Sequence, residues 1–261
     1  MKSHLIIMVC LSLIVTSCNN DDETNELPTY ADGEFPEKIL IGSMALRSQT
    51  QIEEFGAQNY TIITGVLKIH PGFENSNFPI DLTPLRSLER IERTLIIFEN
   101  PDLTSLEGLH NINWLGELFI GNSSKLENLD GLRGLENIAY ENRGQLNGWT
   151  RVSQIRITNN DSLKNINGLI RVPSAKNINI ANNPSLQNLN GLGGIIENSY
   201  FRTYLGCGED ANALPYCGNE ILEDLCGLQN LFLNGTYDYV RIEGNAFNPS
   251  IQDIIDGNCS Q

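Results

Sequence analysis

The chain has 261 residues, with 17 Lys+Arg against 32 Asp+Glu and a formal charge of −15. That balance excludes a surface that tracks duplex nucleic acid, and 40% hydrophobic residues exclude a disordered acidic tail. Leu (33) and Asn (32) are almost equally frequent, a pairing that points to a repeat protein with many tight turns or a ladder of buried amides.

Met1-Lys2-Ser3-His4 is a short positive start, and Leu5 to Thr16 is an apolar run of twelve. Such a run is too short to span a bilayer and suits the core of a secretory signal. It ends in Val15-Thr16-Ser17-Cys18, which resembles a bacterial lipobox. Residues 1–17 are therefore expected to be removed and Cys18 to carry fatty acids. Residues 18–36, opening Asn19-Asn20-Asp21-Asp22-Glu23, hold no core-forming run and read as an acidic flexible tether. An acidic cluster just after the lipidated Cys is similar to the surface-export signal of Bacteroidetes lipoproteins. It implies an outer-membrane protein exposed at the cell surface, touching the membrane by its lipid anchor alone.

A repeat of about 23 residues organises the rest. Leu95 to Leu109, Leu118 to Leu132, Ile155 to Leu169 and Ile178 to Leu192 share the pattern L-x-I-x-x-N-x-x-L-x-x-L-x-G-L. Leu103 and Leu126 are 23 apart, as are Leu163 and Leu186, whereas Leu126 to Leu163 is 37, one period with 14 residues inserted. The L-x-I pair places two side chains on one face of a short strand, and equivalent strands pair into a parallel sheet. Three residues after the Ile come Asn100, Ser123, Asn160, Asn183 and, in the last coil, Asn245. There a buried amide can bond the backbone groups of adjacent coils. The fold class is a mainly β repeat solenoid over residues 37–261, leucine-rich and β-helix-like, with short helical caps at both ends.

The caps are legible too. Thr50 with Glu53 three residues later is a capping-box signal for a helix over 49–55. At the other end Asn248-Pro249-Ser250 opens a helix through Ile255, with Gly257 as its stop. Cys207, Cys217, Cys226 and Cys259 cluster in the last fifth of the chain, and an exported protein is expected to pair them as two disulfides, with three connectivities possible. Their spacings fit no zinc finger. Residues from about 207 to 261 read as a stapled C-terminal cap, with Cys226 the preferred partner of Cys259.

The coil pattern resembles the receptor L-domain, the leucine-rich solenoid of insulin- and EGF-receptor ectodomains, and more closely the L-domain-like leucine-rich proteins exported by flavobacteria. Phe55-Gly56-Ala57 with Tyr60 to Gly65 is similar to their N-terminal cap; Leu225-Cys226-Gly227-Leu228, Gly244 to Pro249 and Gly257-Asn258-Cys259 are similar to their last coil. The resemblance implies an architecture and fixes no ligand. Two stretches depart from it: Ala139–Ser153, with Tyr140, Arg143, Trp149 and Arg151, and Ser199–Tyr216, with Tyr200, Phe201, Tyr204 and the Cys207/Cys217 loop.

No Gly-x-Ser-x-Gly elbow, Walker loop, His-Glu-x-x-His or EF-hand loop is present. His110 follows a Gly-Leu turn and reads as a solvated corner residue, and Glu107 and Asp130 fall at repeat positions without forming a compact oxygen cluster. The expectation is a monomeric, non-catalytic recognition or adhesion module with no cofactor, no metal and no nucleic-acid partner. Its ligand is an extracellular glycan or protein, held on the aromatics and arginines of the two departing stretches. The alternatives are a polysaccharide-acting β-helix enzyme and a passive surface spacer.

Overall fold

The computed structural model describes residues 35–70, 80–139, 153–196, 199–206 and 218–261, with backbone alone for 199–201, all within the unit Ala31–Gln261. The leader, Cys18 and nearly all of the tether lie outside the described residues. Phe35 is 8% exposed and belongs to the core, so packing begins inside the stretch read as tether.

Strands recur once or twice per coil: β1 (Ile39–Leu40), β2 (Met44–Leu46), β3 (Ile62–Ile63), β4 (Leu67–Ile69), β5 (Arg90–Phe98), β6 (Trp114–Gly121), β7 (Asn137–Ile138), β8 (Gln154–Thr158), β9 (Asn177–Ala181), β10 (Ser199–Gly206) and β11 (Thr236–Glu243). All pair in parallel, as mainly β coils stacked in register. One row of partners runs Leu46, Ile69, Ile97, Ile120, Ile157, Ile180, Leu205 and Ile242 across eight strands. Two residues earlier runs Met44, Leu67, Leu95, Leu118, Ile155, Ile178, Thr203 and Val240. These rows line the core, since alternate strand residues share a face. Their central members are fully buried, each apolar side chain contributing about 1.5–3 kcal/mol. A second, shorter ladder runs Leu40, Ile63, Ile91, Leu115 and Ile138. The coils from β1 to β7 thus carry a second row of Leu and Ile beside the first.

After β5, β6, β8, β9 and β11 the chain turns through a left-handed residue: Glu99 (φ 58°), Asn122 (53°), Asn159 (59°), Asn182 (54°) and Gly244 (74°). Asn and Gly tolerate this region far better than other residues. Glu99 is the exception, exposed and bearing the strain. Glu99→Asn is expected to stabilise the chain by about 0.5–1 kcal/mol; an unchanged or lower urea midpoint contradicts this account of the corner.

The next residue is the buried rung. The Ser123 backbone N–H donates to Asn160 Oδ1 (3.1 Å), that of Asn160 to Asn183 Oδ1 (3.1 Å), and that of Asn183 to Asn219 Oδ1 (3.0 Å). Asn219 Nδ2 donates to Asn245 Oδ1 (2.9 Å), and the Asn245 N–H to Asn248 Oδ1 (3.0 Å). The side-chain amides also reach back to the preceding coil: Asn100 to the carbonyl of Ile69 (2.9 Å) and Asn183 to that of Ile157 (3.0 Å). The ladder therefore includes Asn219, a coil that the spacing alone does not reveal.

A third set of polar residues starts the second corner. Ser105, Asn128, Asn165, Asn188 and Asp224 each accept from the N–H two residues on, at 2.9–3.2 Å, opening 3-10 turns such as Asp130–Leu132 and Asn167–Leu169. These are Asx-type turns. The glycine in the turn answers a close approach between coils: a Cβ on Gly168 would lie 1.8 Å from the Leu129 carbonyl oxygen.

The caps differ in detail from their sequence signals. Helix α1 (Gln49–Gly56) is capped by Ser48, which accepts from the Gln51 N–H, and not by Thr50. Helix α2 (Gln229–Asn234) precedes β11. Helix α3 (Ile251–Ile255) has Ser250 as N-cap in a capping box with Asp253, because Asn248 is spent on closing the amide ladder. A disulfide joins Cys226 to Cys259, fastening this cap to the last 3-10 turn.

Candidate recognition surface

Since Leu118 and Ile120 point inward, the residue between them points outward, and the parallel register stacks such residues into columns. The central outward column is Ile96, Phe119, Arg156, Asn179, Tyr204 and Arg241 on β5, β6, β8, β9, β10 and β11, with Ala45 and Lys68 before them. On one side stand Thr94, Glu117, Gln154, Asn177, Arg202 and Tyr239. On the other, Phe98 is followed by the small residues Gly121, Thr158, Ala181 and Gly206, then Glu243. The outcome is a face that mixes aromatic and basic residues with polar and acidic ones.

Its contacts are local. The rings of Phe98 and Phe119 lie 5.4 Å apart, and the Arg156 guanidinium stands 5.4 Å from the Phe119 ring, within cation–π range. The rings of Tyr204 and Tyr239 lie 5.3 Å apart, tilted by 37°, and Tyr239 is 47% exposed. Phe232 meets Tyr237 edge-on at 5.8 Å. Thr94 Oγ1 donates to Glu117 (2.8 Å). Arg241 pairs with Glu243, whose hydrogen bond raises the guanidinium pKa further. Arg156 and Arg202 have no carboxylate within 4 Å among the described residues. Asn179 is only 4% exposed although it points outward, and its Oδ1 has no hydrogen-bond donor.

The turn flank is built differently. Lys125 pairs with Asp102 (2.5 Å), Arg133 with Glu107 (2.8 Å), Lys164 with Glu127 (2.8 Å) and Arg171 with Glu136, each pair bridging neighbouring coils. Such exposed pairs contribute little individually. The hydrogen bond from Arg133 holds the Glu107 carboxyl below its ordinary value of 4.5. That small contribution is present at neutral pH and is lost as pH falls through the lowered value. His110 is not the solvated corner residue expected: its side chain is 14% exposed and Nδ1 lies 2.9 Å from Glu107. Glu107 is thus engaged by Arg133 and His110, and among the described residues no group of three or more His, Cys, Asp or Glu is arranged to hold a metal ion.

Of the ligand-binding residues expected from sequence, Tyr140, Arg143, Trp149 and Arg151 lie outside the described residues, as do Cys18, Cys207 and Cys217. Tyr200 and Phe201 fall in β10, where only the backbone is described. Tyr204 stands on the outward face beside Tyr239. Ser199–Gly206 is a strand that pairs with β11, with register shifts around Phe201, and with β9 over Arg202–Gly206, so this part of the second departing stretch belongs to the sheet. Sequence reasoning missed Phe119, Arg156, Asn179, Arg202 and Tyr239. The signal for three of them was present, because the x of each L-x-I triplet, as in Leu118-Phe119-Ile120, Ile155-Arg156-Ile157 and Ile178-Asn179-Ile180, must face outward on a strand.

Comparison with known proteins gives no matching family model, no matching curated protein and no matching solved structure. Among the described residues no helix is long and apolar enough to cross a membrane.

Proposed function

We propose that this chain is a receptor L-domain-like leucine-rich lipoprotein of the flavobacterial type, a monomeric recognition or adhesion module held at the cell surface. Cys18 is its lipid anchor, residues 18–36 its spacer, and the outward sheet face its contact surface for an extracellular glycan or protein. The observation that carries this reading is the outward face itself: Phe119, Arg156, Tyr204 and Tyr239 stand on it among the short polar residues that keep a sheet soluble. Aromatic residues and Arg give large contact area at small entropy cost, and stacked coils present them at fixed spacing.

The anchor has its own test. Cys18→Ala is expected to abolish incorporation of an alkyne-tagged fatty acid; labelling equal to that of wild type contradicts the lipoprotein reading. For recognition, the full-length chain in detergent is to be screened on a glycan array and in pull-downs of extracellular proteins. Saturable binding without turnover supports the module. Release of new reducing ends turns the assignment to a polysaccharide-acting enzyme, and no ligand in either screen turns it to a passive spacer.

A further inference from the structure

We propose that the outward face over β6 to β10 takes an acidic polysaccharide, one whose sugars carry carboxylates, with Arg156 and Arg202 meeting the charge. This rests on the recognition reading above and narrows it to one ligand chemistry.

Three observations converge on the same strands. The first is charge. The chain as a whole is at −15, and on the turn flank Lys125, Arg133, Lys164 and Arg171 are engaged by carboxylates of neighbouring coils. On the sheet face Arg241 is engaged by Glu243, but Arg156 and Arg202 are left without a carboxylate among the described residues. Both are exposed, so an approaching anion meets two hydrated guanidiniums on β8 and β10, two strands and two residues apart in register, which sets their backbones about 12 Å apart. On this face of an otherwise acidic protein, the two guanidiniums offer a local site for negative charge. A planar carboxylate matches the guanidinium fork.

The second is Asn179, which sits on β9 between them, in register with Arg156 on one side and Tyr204 on the other. It is 96% buried by its 4% exposure, and its Oδ1 lacks a donor. A buried acceptor left unmet costs free energy until a donor arrives. A sugar hydroxyl is such a donor once an outward neighbour turns aside.

The third is the pair of aromatic ends. Phe119 and Tyr204 flank Arg156 and Asn179 in the same column, one strand to either side. Their faces suit the C–H faces of pyranose rings. An acidic peptide would satisfy the arginines, yet it brings neither ring faces nor a row of hydroxyls. A polymer of uronate sugars brings all three at a repeat, and it can lie along the strand stack.

The full-length chain in detergent is to be tested against immobilised polygalacturonate, alginate and hyaluronan, with dextran and mannan as neutral glycans and poly-glutamate as an acidic peptide. At least one uronate polymer is expected to bind, weakening with added salt, while dextran and mannan do not. Arg156→Ala, Arg202→Ala and Tyr204→Ala are each expected to lower that binding about tenfold or more, equivalent to ~1.4 kcal/mol, at unchanged melting temperature. Asn179→Asp, which sets a like charge under the ligand, is expected to abolish it. Binding of neutral glycans that Tyr204→Ala weakens and Arg156→Ala leaves intact overturns the acidic chemistry while the recognition reading stands. Binding of poly-glutamate alone overturns the glycan. No uronate polymer bound, or uronate binding indifferent to all four substitutions, overturns the inference outright.

Discussion

Asn183→Ala is expected to lower stability by about 3–4 kcal/mol, among the largest effects of any single substitution in this chain. Asn183 is fully buried. Its Nδ2 donates to the carbonyls of Ile157 (3.0 Å) and Ala181 (3.1 Å), and its Oδ1 accepts from both the backbone N–H and the side-chain amide of Asn160 (3.1 and 3.0 Å). Removing it takes a partner from the Ile157 and Ala181 carbonyls, from the Asn160 backbone N–H and, more weakly, from Asn219 Oδ1, while Asn160 Nδ2 keeps its bond to Thr158; each buried group left unmet costs about 1–3 kcal/mol before relaxation. The neighbouring Asn182 supplies a control, since it sits at the left-handed corner (φ 54°) and its side-chain bond to Asn159 is exposed. Asn182→Gly is expected to change stability by no more than about 0.5 kcal/mol. Urea midpoints of the two variants falling together would mean that the amide ladder carries no special share of the stability.

Gly168→Ala is the second large effect. The added methyl would lie 1.8 Å from the Leu129 carbonyl oxygen and 2.6 Å from its carbon, backbone atoms of the preceding coil that no side-chain rotation can clear. The two coils must separate locally, which breaks pairing on both sides of the contact. A loss of about 3 kcal/mol or more is expected, the upper end for overpacking. Gly193→Ala, where the nearest atoms are 3.2 and 3.5 Å away, is expected to cost under about 1 kcal/mol. A mild Gly168→Ala would show that the spacing of the coils is softer than the contact implies.

Much of this architecture was readable because the repeat writes one physical demand at the same place in every coil. Leu-x-Ile at strand positions, Asn at the buried rung and Gly at the close approach recur at a 23-residue period, and Leu103, Asn183 and Gly168 fall where that period puts them. The abundance of Asn has three structural causes. One class of Asn forms the ladder, a second, such as Asn122 and Asn159, relieves the left-handed corner, and a third, such as Asn128 and Asn165, opens the 3-10 turns. Asn219 was missed because the residues before it interrupt the spacing that marks the other rungs. The caps were legible as helices but not in their capping residues: Ser48 displaces Thr50, and Ser250 displaces Asn248, because the side chains nearest the strongest local signal are used elsewhere or lie inside the helix.

The contact surface was less legible than the core. Aromatics were sought in the stretches that break the repeat, whereas Phe119, Arg156 and Asn179 stand inside it, at the position a consensus treats as variable. A core position is constrained by what it packs against, and that constraint repeats from coil to coil. An outward position is constrained by a partner that the sequence does not contain, so only the register of the strands brings Phe119, Arg156, Asn179 and Tyr204 into one column.

The most direct test of the recognition surface compares two faces of the same coils. Tyr204→Ala with Tyr239→Ala alters the outward sheet face, whereas Ile170→Ser with Ile196→Ser alters exposed apolar positions just after the 3-10 turns. Affinity of the full-length double variants is measured for a ligand captured by the wild-type chain, alongside their melting temperatures. The sheet-face variant is expected to lose about tenfold or more in affinity, ~1.4 kcal/mol, and to melt with wild type, while the flank variant binds as wild type does. Undiminished binding by the sheet-face variant, or loss confined to the flank variant, would contradict it.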